Sequence, residues 1–135
     1  MKSRLALLLL GLGLAISGCD PTETADLRGS FSGTFTAYEP GGDVEKSGPV
    51  TVTFDGNTYS STSNPDRYPA GGSGTYRFLD DAMIRFEDKN RWTADFNWTL
   101  ILNGDYGYKF SGDSLSLTRY SGAARIYEYK LKRNE

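Results

Sequence analysis

Apolar and polar residues alternate with a period of two over most of this chain. In LRGSFSGTFTAY, Leu27, Gly29, Phe31, Gly33, Phe35 and Ala37 share one face, with Arg28, Ser30, Ser32, Thr34 and Thr36 on the other. Side chains alternate sides along an extended backbone, so the pattern predicts a half-buried strand. Gly29 and Gly33 interrupt its apolar face, which permits sharp coiling or the close approach of another backbone. After the turn EPGGDVEK, Val50, Val52 and Phe54 alternate with Thr51 and Thr53, and Gly56-Asn57 predicts a hairpin into Thr58–Thr62. SNPDRYPAGGSG is the longest turn-rich stretch. Thr75–Leu79 and Ala82–Glu87 then pair across Asp80-Asp81. Tyr106, Tyr108 and Phe110 alternate, Ser111-Gly112-Asp113 turns into Leu115 and Leu117, and Ser121-Gly122 turns into Tyr127, Tyr129 and Leu131.

No amphipathic helix of ordinary length interrupts this series. About eight short strands joined by tight turns predict an all-β antiparallel fold, and consecutive hairpins favour an up-and-down barrel over a Greek key. A barrel of about eight strands is wide enough to be filled by side chains or to hold one small ligand.

Residues 1–18 break the pattern. Lys2 and Arg4 open a basic start, Leu5–Ile16 is apolar, and Ser17-Gly18 leads into Cys19, the single cysteine. A spanning helix needs about 20 apolar residues, so this shorter run reads as a signal peptide. Ile16-Ser17-Gly18-Cys19 resembles the lipobox of bacterial lipoproteins. That resemblance implies a diacylglyceryl group on the Cys19 thiol, cleavage just before it, and usually acylation of the new amino group. One acyl chain holds a protein only marginally, at about 0.8 kcal/mol per buried methylene, whereas two or three anchor it firmly. The chain then divides into a signal peptide (1–18), a lipidated cysteine with the polar tether DPTETAD (19–26), and a barrel domain (27–135). The expected location is the cell envelope, anchored to the inner or outer membrane. Asp20 is similar to the inner-membrane retention signal of enteric bacteria, and both membranes stay open.

Composition narrows the chemistry. The 135 residues carry a net charge of −2, which becomes more negative once Lys2 and Arg4 leave with the leader. Such a surface argues against nucleic acid, whose phosphates need clustered positive charge. With Cys19 lipidated no disulfide forms within the chain, so one small domain must be held by its core alone. The chain has no histidine, which removes Ser-His-Asp and Cys-His catalysis and the usual zinc ligands. No D-x-D-x-D-G calcium loop occurs. Asp95 is the one acid in an apolar setting, where burial would raise its pKa, yet a glycosidase needs two facing carboxyls. Asp80-Asp81 and Glu87-Asp88 read as turn acids. The expectation is a binding protein with no cofactor and no metal, not an enzyme.

The opening Gly29-Ser30-Phe31 is similar to the G-x-W start of lipocalin and calycin barrels, with phenylalanine in place of tryptophan. The ending DYGYKFSGDSLSLTRYSGAARIYEYKLKR resembles the closing hairpins of small lipocalin-like bacterial lipoproteins, many of unknown function. The resemblance implies a late arginine packed over the first-strand aromatic. Arg119 or Arg133 would cover Phe31.

Two groups of residues are candidates for a ligand site. RWTADFNWTLILNG holds both tryptophans, and if extended it would place Trp92, Ala94, Phe96, Trp98, Leu100 and Leu102 on one face. Such a stripe is either the wall of a pocket or a plug closing one barrel end. Tyrosines form the second group. Tyr59, Tyr76, Tyr106, Tyr108, Tyr127 and Tyr129 all fall on inward faces, where each buried hydroxyl needs a partner. The candidate binding residues are thus Trp92, Phe96 and Trp98 with Tyr76, Tyr108, Tyr127 and Tyr129, and the expected ligand is small and apolar or amphipathic. The rival expectation is a filled barrel that works through its outer surface, as a structural, interaction or inhibitor protein.

Overall fold

A computed structural model describes residues 27–135. The signal peptide, Cys19 and the tether lie outside the described residues. Eight strands run in sequence order: β1 (Gly29–Tyr38), β2 (Val44–Asp55), β3 (Thr58–Ser61), β4 (Gly72–Phe78), β5 (Met83–Asp88), β6 (Gly104–Ser111), β7 (Ser114–Tyr120) and β8 (Ile126–Arg133). Each pairs antiparallel with the next, and β8 returns to β1, so the sheet closes as an up-and-down barrel. Closure removes the exposed edges that an open sheet of this size would leave.

The period-two face becomes the interior. Phe31, Phe35, Ala37, Val52, Ile84, Leu117 and Tyr129 have no solvent exposure. Their rings interlock. Phe86 lies 4.8 Å from Tyr59 and 5.7 Å from Tyr106, and Phe35 lies 4.8 Å from Tyr129, measured between centroids. The barrel is filled by side chains. Leu117→Ala should therefore cost about 2–5 kcal/mol. Ser116→Ala, on the outer face of β7, should change stability by less than about 0.5 kcal/mol. Urea melts of the two variants check the phase of that strand.

Gly33 explains how the seam closes. It pairs with Leu131 on β8, and a Cβ built there would fall on the Lys130 carbonyl oxygen and 2.8 Å from its carbon. The backbones of β1 and β8 meet so closely that only hydrogen fits.

The two barrel ends differ. At one end tight hairpins join β2 to β3, β4 to β5 and β6 to β7, and the chain enters there through the buried Leu27. Arg133 sets its guanidinium 4.6 Å from the Phe31 centroid and 5.9 Å from Phe110. Arg119 lies instead 5.9 Å from the Tyr106 ring, at the other end. Arg133 is thus the late arginine over the first-strand ring.

At this other, loop end, the connections after β1, β3, β5 and β7 gather. Strand β2 begins at Val44, earlier than the apolar alternation shows, because residues 44–49 are mostly exposed. They are extended because they pair with β1, as in Ala37↔Lys46. Pro49 is tolerated there since β3 reaches β2 only from Val52 onward.

Candidate functional site

The segment between β5 and β6 closes the loop end, and it is not extended. Local hydrogen bonds from short polar side chains compete with strand geometry here. The Thr93 hydroxyl donates to the Asp95 carboxylate, and the Asn97 side chain caps a 3-10 turn over Trp98–Leu100 by accepting from the Thr99 N–H at 3.0 Å. The turn splits the apolar stripe. Leu100, Ile101 and Leu102 drop into the barrel mouth and are buried, while Trp98 is left 55% exposed.

That plug is tied down at several points. Ala70 N–H donates to the Leu100 carbonyl and Leu102 N–H to the Gly71 carbonyl, both at 2.9 Å. From inside the barrel, Tyr59 donates to the Leu102 carbonyl at 2.5 Å and Arg119 to the Asn103 carbonyl at 2.8 Å. Tyr127 accepts from the Thr99 hydroxyl at 2.8 Å. The interior tyrosines therefore find partners on the plug.

Two of them do not. The Tyr106 and Tyr129 hydroxyls are buried with no hydrogen-bond partner among the described residues. Burial pushes both pKa values up; Arg119 partly opposes this at Tyr106, and the neighbouring Tyr106 and Tyr59 phenols add to it at Tyr129. Tyr59 is raised too, by burial first and then by Asp88. Above about pH 10 the unfolded chain sheds phenolic protons that the folded barrel keeps, so stability falls as pH rises past that value. Tyr129→Phe removes an unpartnered hydroxyl. It should leave stability at neutral pH unchanged or raise it by up to about 1–3 kcal/mol, and flatten the alkaline loss. Urea melts at neutral and strongly alkaline pH measure both effects.

Tyr76 and Tyr108 point inward at the hairpin end, where their hydroxyls donate to the carbonyls of Gly56 at 2.8 Å and Asp80 at 3.4 Å. The structure thus separates the candidate residues. Trp92 and Phe96 come together, with ring centroids 5.7 Å apart. Trp98 stands nearby on the surface, its indole N–H donating to the Thr93 carbonyl at 2.8 Å. Tyr127 and Tyr129 lie beneath the plug, and Tyr76 and Tyr108 are at the far end.

Trp92 sits between two clefts. One, of about 560 Å³, is bounded by Ser60–Ser63, Ala70–Ser73 and the 90–96 segment. The other, of about 480 Å³, lies between Trp92, Trp98, Asp88 and Asn103. Asp88 fixes the wall between them. Its carboxylate accepts from the Trp92 indole at 2.5 Å, the Asn90 amide at 2.7 Å and the Ser73 N–H at 2.9 Å. Asp88 reads in the sequence as a turn acid, but it ends β5 and joins the segment that follows it to Ser73 on β4.

Asp95 corrects an expectation. It is exposed, at 68% of its side chain, and its pKa is lowered, not raised. The Thr93 hydroxyl is the largest cause, then its own backbone N–H, with Arg67 adding its charge. No cluster of carboxylates placed to hold a metal occurs among the described residues.

A broader trough of about 990 Å³ runs along the outer wall of β5, β6 and β7. Its charged groups include the Arg85–Asp105 pair, at 2.6 and 2.9 Å, which already satisfies itself. The clefts at Trp92 carry more unspent chemistry.

No protein-family model, no curated protein and no solved structure gives a significant match to the chain. The fold and the clefts stand on their own geometry.

Proposed function

We propose that this chain is a lipid-anchored envelope protein that binds a small amphipathic ligand in the clefts around Trp92. It acts as a binding module rather than an enzyme, and its filled barrel serves as the rigid support. One observation carries the reading. Trp92 is locked by Asp88 between two concavities, each within the roughly 300–1,000 Å³ typical of small-molecule sites. A ring held in place before binding loses little entropy when a ligand covers it. The lipocalin-like resemblance supports the same class of protein, although here the ligand would sit outside the barrel.

A second reading rests on the filled interior and on Trp98, whose large exposed ring suits a protein partner. On that reading the clefts bind no small molecule.

Titration of the full chain in detergent micelles with N-phenylnaphthylamine, an apolar reporter, separates the two. Saturable binding that shifts tryptophan emission and weakens in Trp98→Phe supports the ligand site. Absence of binding by this reporter and by polar small molecules alike favours the interaction protein. The same preparations test the anchor, since Cys19→Ser should leave an unprocessed precursor that carries no acyl mass. A Cys19→Ser protein still cut before position 19 and acylated would refute the lipoprotein assignment.

A further inference from the structure

Resting on the reading that the Trp92 clefts hold a small ligand, we propose that this ligand is a hydroxyl-rich ring bearing an anionic group, a sugar acid or a sugar phosphate. The larger cleft has two unlike walls. Trp92 and Phe96 supply aromatic surface, and Ser60, Ser61, Ser63 and Ser73 supply hydroxyls. Aromatic faces suit the C–H faces of a saturated ring. Serine hydroxyls both donate and accept, which matches the hydroxyls of a sugar. The Ser61 and Ser63 hydroxyls donate to the Thr62 and Asn64 carbonyls and Ser73 pairs with Asn90, so toward a ligand these three present accepting oxygens that suit the hydroxyls of a sugar.

Charge supplies the second argument. Arg67 and Arg91 line the larger cleft and no carboxylate does, although the chain as a whole carries −2. Arg67 is already engaged, 3.5 Å from Asp95 and 4.6 Å from the Phe96 centroid. Arg91 makes no ion pair among the described residues, and it borders both clefts beside Trp92. A guanidinium matches the two oxygens of a carboxylate or phosphate in one plane.

The surroundings are built to hold this shape. Asn64 braces the 62–71 loop by accepting from the N–H groups of Asp66 at 3.2 Å and Tyr68 at 3.1 Å. Asp88 braces the opposite wall through Ser73, Asn90 and Trp92. The clefts also open at the barrel end opposite the one where Leu27 enters.

Calorimetric titration of the full chain in detergent micelles with glucuronate, glucose phosphate and glucose tests the proposal, with N-phenylnaphthylamine run in parallel. At least one acid should bind about tenfold or more tightly than glucose, a difference of about 1.4 kcal/mol. That preference should weaken with added salt and vanish in Arg91→Gln. It should persist in Lys89→Gln, a neighbouring cation outside the cleft. Binding of glucuronate alone assigns a carboxylate, and of glucose phosphate alone a phosphate. Glucose binding as tightly as both acids, or an acid preference that survives Arg91→Gln, overturns the proposal. If N-phenylnaphthylamine binds and none of the sugars does, the ligand site stands and this assignment of its ligand falls. If nothing binds, both fall.

Discussion

Gly33→Ala should abolish the cooperative fold at ambient temperature, the largest effect expected of any single methyl in this chain. The added carbon would meet the Lys130 carbonyl and lie 3.0 Å from the Leu131 Cα. Both obstacles are backbone, so no rotamer change relieves them. The only escape is to part β1 from β8, and that is where the barrel closes, from Phe31↔Arg133 to Tyr38↔Ile126. Parting them exposes Phe31 and Phe35 and creates two sheet edges at once. Overpacking in a core ordinarily costs about 1–3 kcal/mol. Here the loss of a seam adds to it, against a total stability of about 5–15 kcal/mol for a domain of this kind. Gly122→Ala is the control. Its Cβ meets nothing within 4 Å, so it should be neutral or gain about 0.4–1 kcal/mol. Circular dichroism and urea melts of the two variants check the contrast. A cooperative melt for Gly33→Ala within about 1 kcal/mol of the parent would show that the seam is looser than this geometry.

The seam also shows what the sequence made legible. Alternation along LRGSFSGTFTAY placed Gly33 on the inner face, where a second backbone could approach, but no local pattern names the strand that approaches it. The same limit separates Arg119 from Arg133. Both lie in phase with inward residues, and only the register of β7 and β8 sends them to opposite ends. Strands were readable wherever one face is buried and the other wet. No residue in 44–49 is buried, so no apolar alternation marks the stretch and its extension follows from pairing alone.

The candidate site was less legible, for a related reason. Leu100-Ile101-Leu102 is a continuous apolar run, and such a run has no period from which a direction can be read. The 3-10 turn capped by Asn97 decides that these three enter the barrel while Trp98 stays out. Trp92 and Phe96 were identifiable from size and rarity. Their neighbours Asp88, Arg67 and Ser60–Ser63 come from other strands and loops, and they carry nothing unusual until the fold gathers them. Arg67 illustrates this well. It adopts a left-handed backbone, φ 58°, in a loop that sequence marks only as turn-rich, yet it is the cation that covers Phe96.

Phe86→Ala should cost about 3–5 kcal/mol, more than truncation elsewhere on the inner wall. Phe86 is 1% exposed, and its ring meets those of Tyr59, Tyr106, Tyr76 and Phe54 at centroid distances of 4.8, 5.7, 6.2 and 6.4 Å. Four rings on four strands lose a common neighbour, and a closed barrel has little freedom to collapse around the gap. The hole would be lined mainly by aromatic carbon. Apolar cavities of that kind stay dry and accept benzene. Benzene should therefore raise the melting temperature of Phe86→Ala and leave the parent unchanged, because ligand that binds only the folded state stabilises it by mass action. Equal stabilisation of the parent would mean that its interior already has room, and the ligand site would then move from the Trp92 clefts to the barrel itself. A cost below about 1 kcal/mol for Phe86→Ala would mean that the rings are not mutually locked. Stabilisation confined to the variant leaves the barrel as a filled support, with binding carried by its loop end.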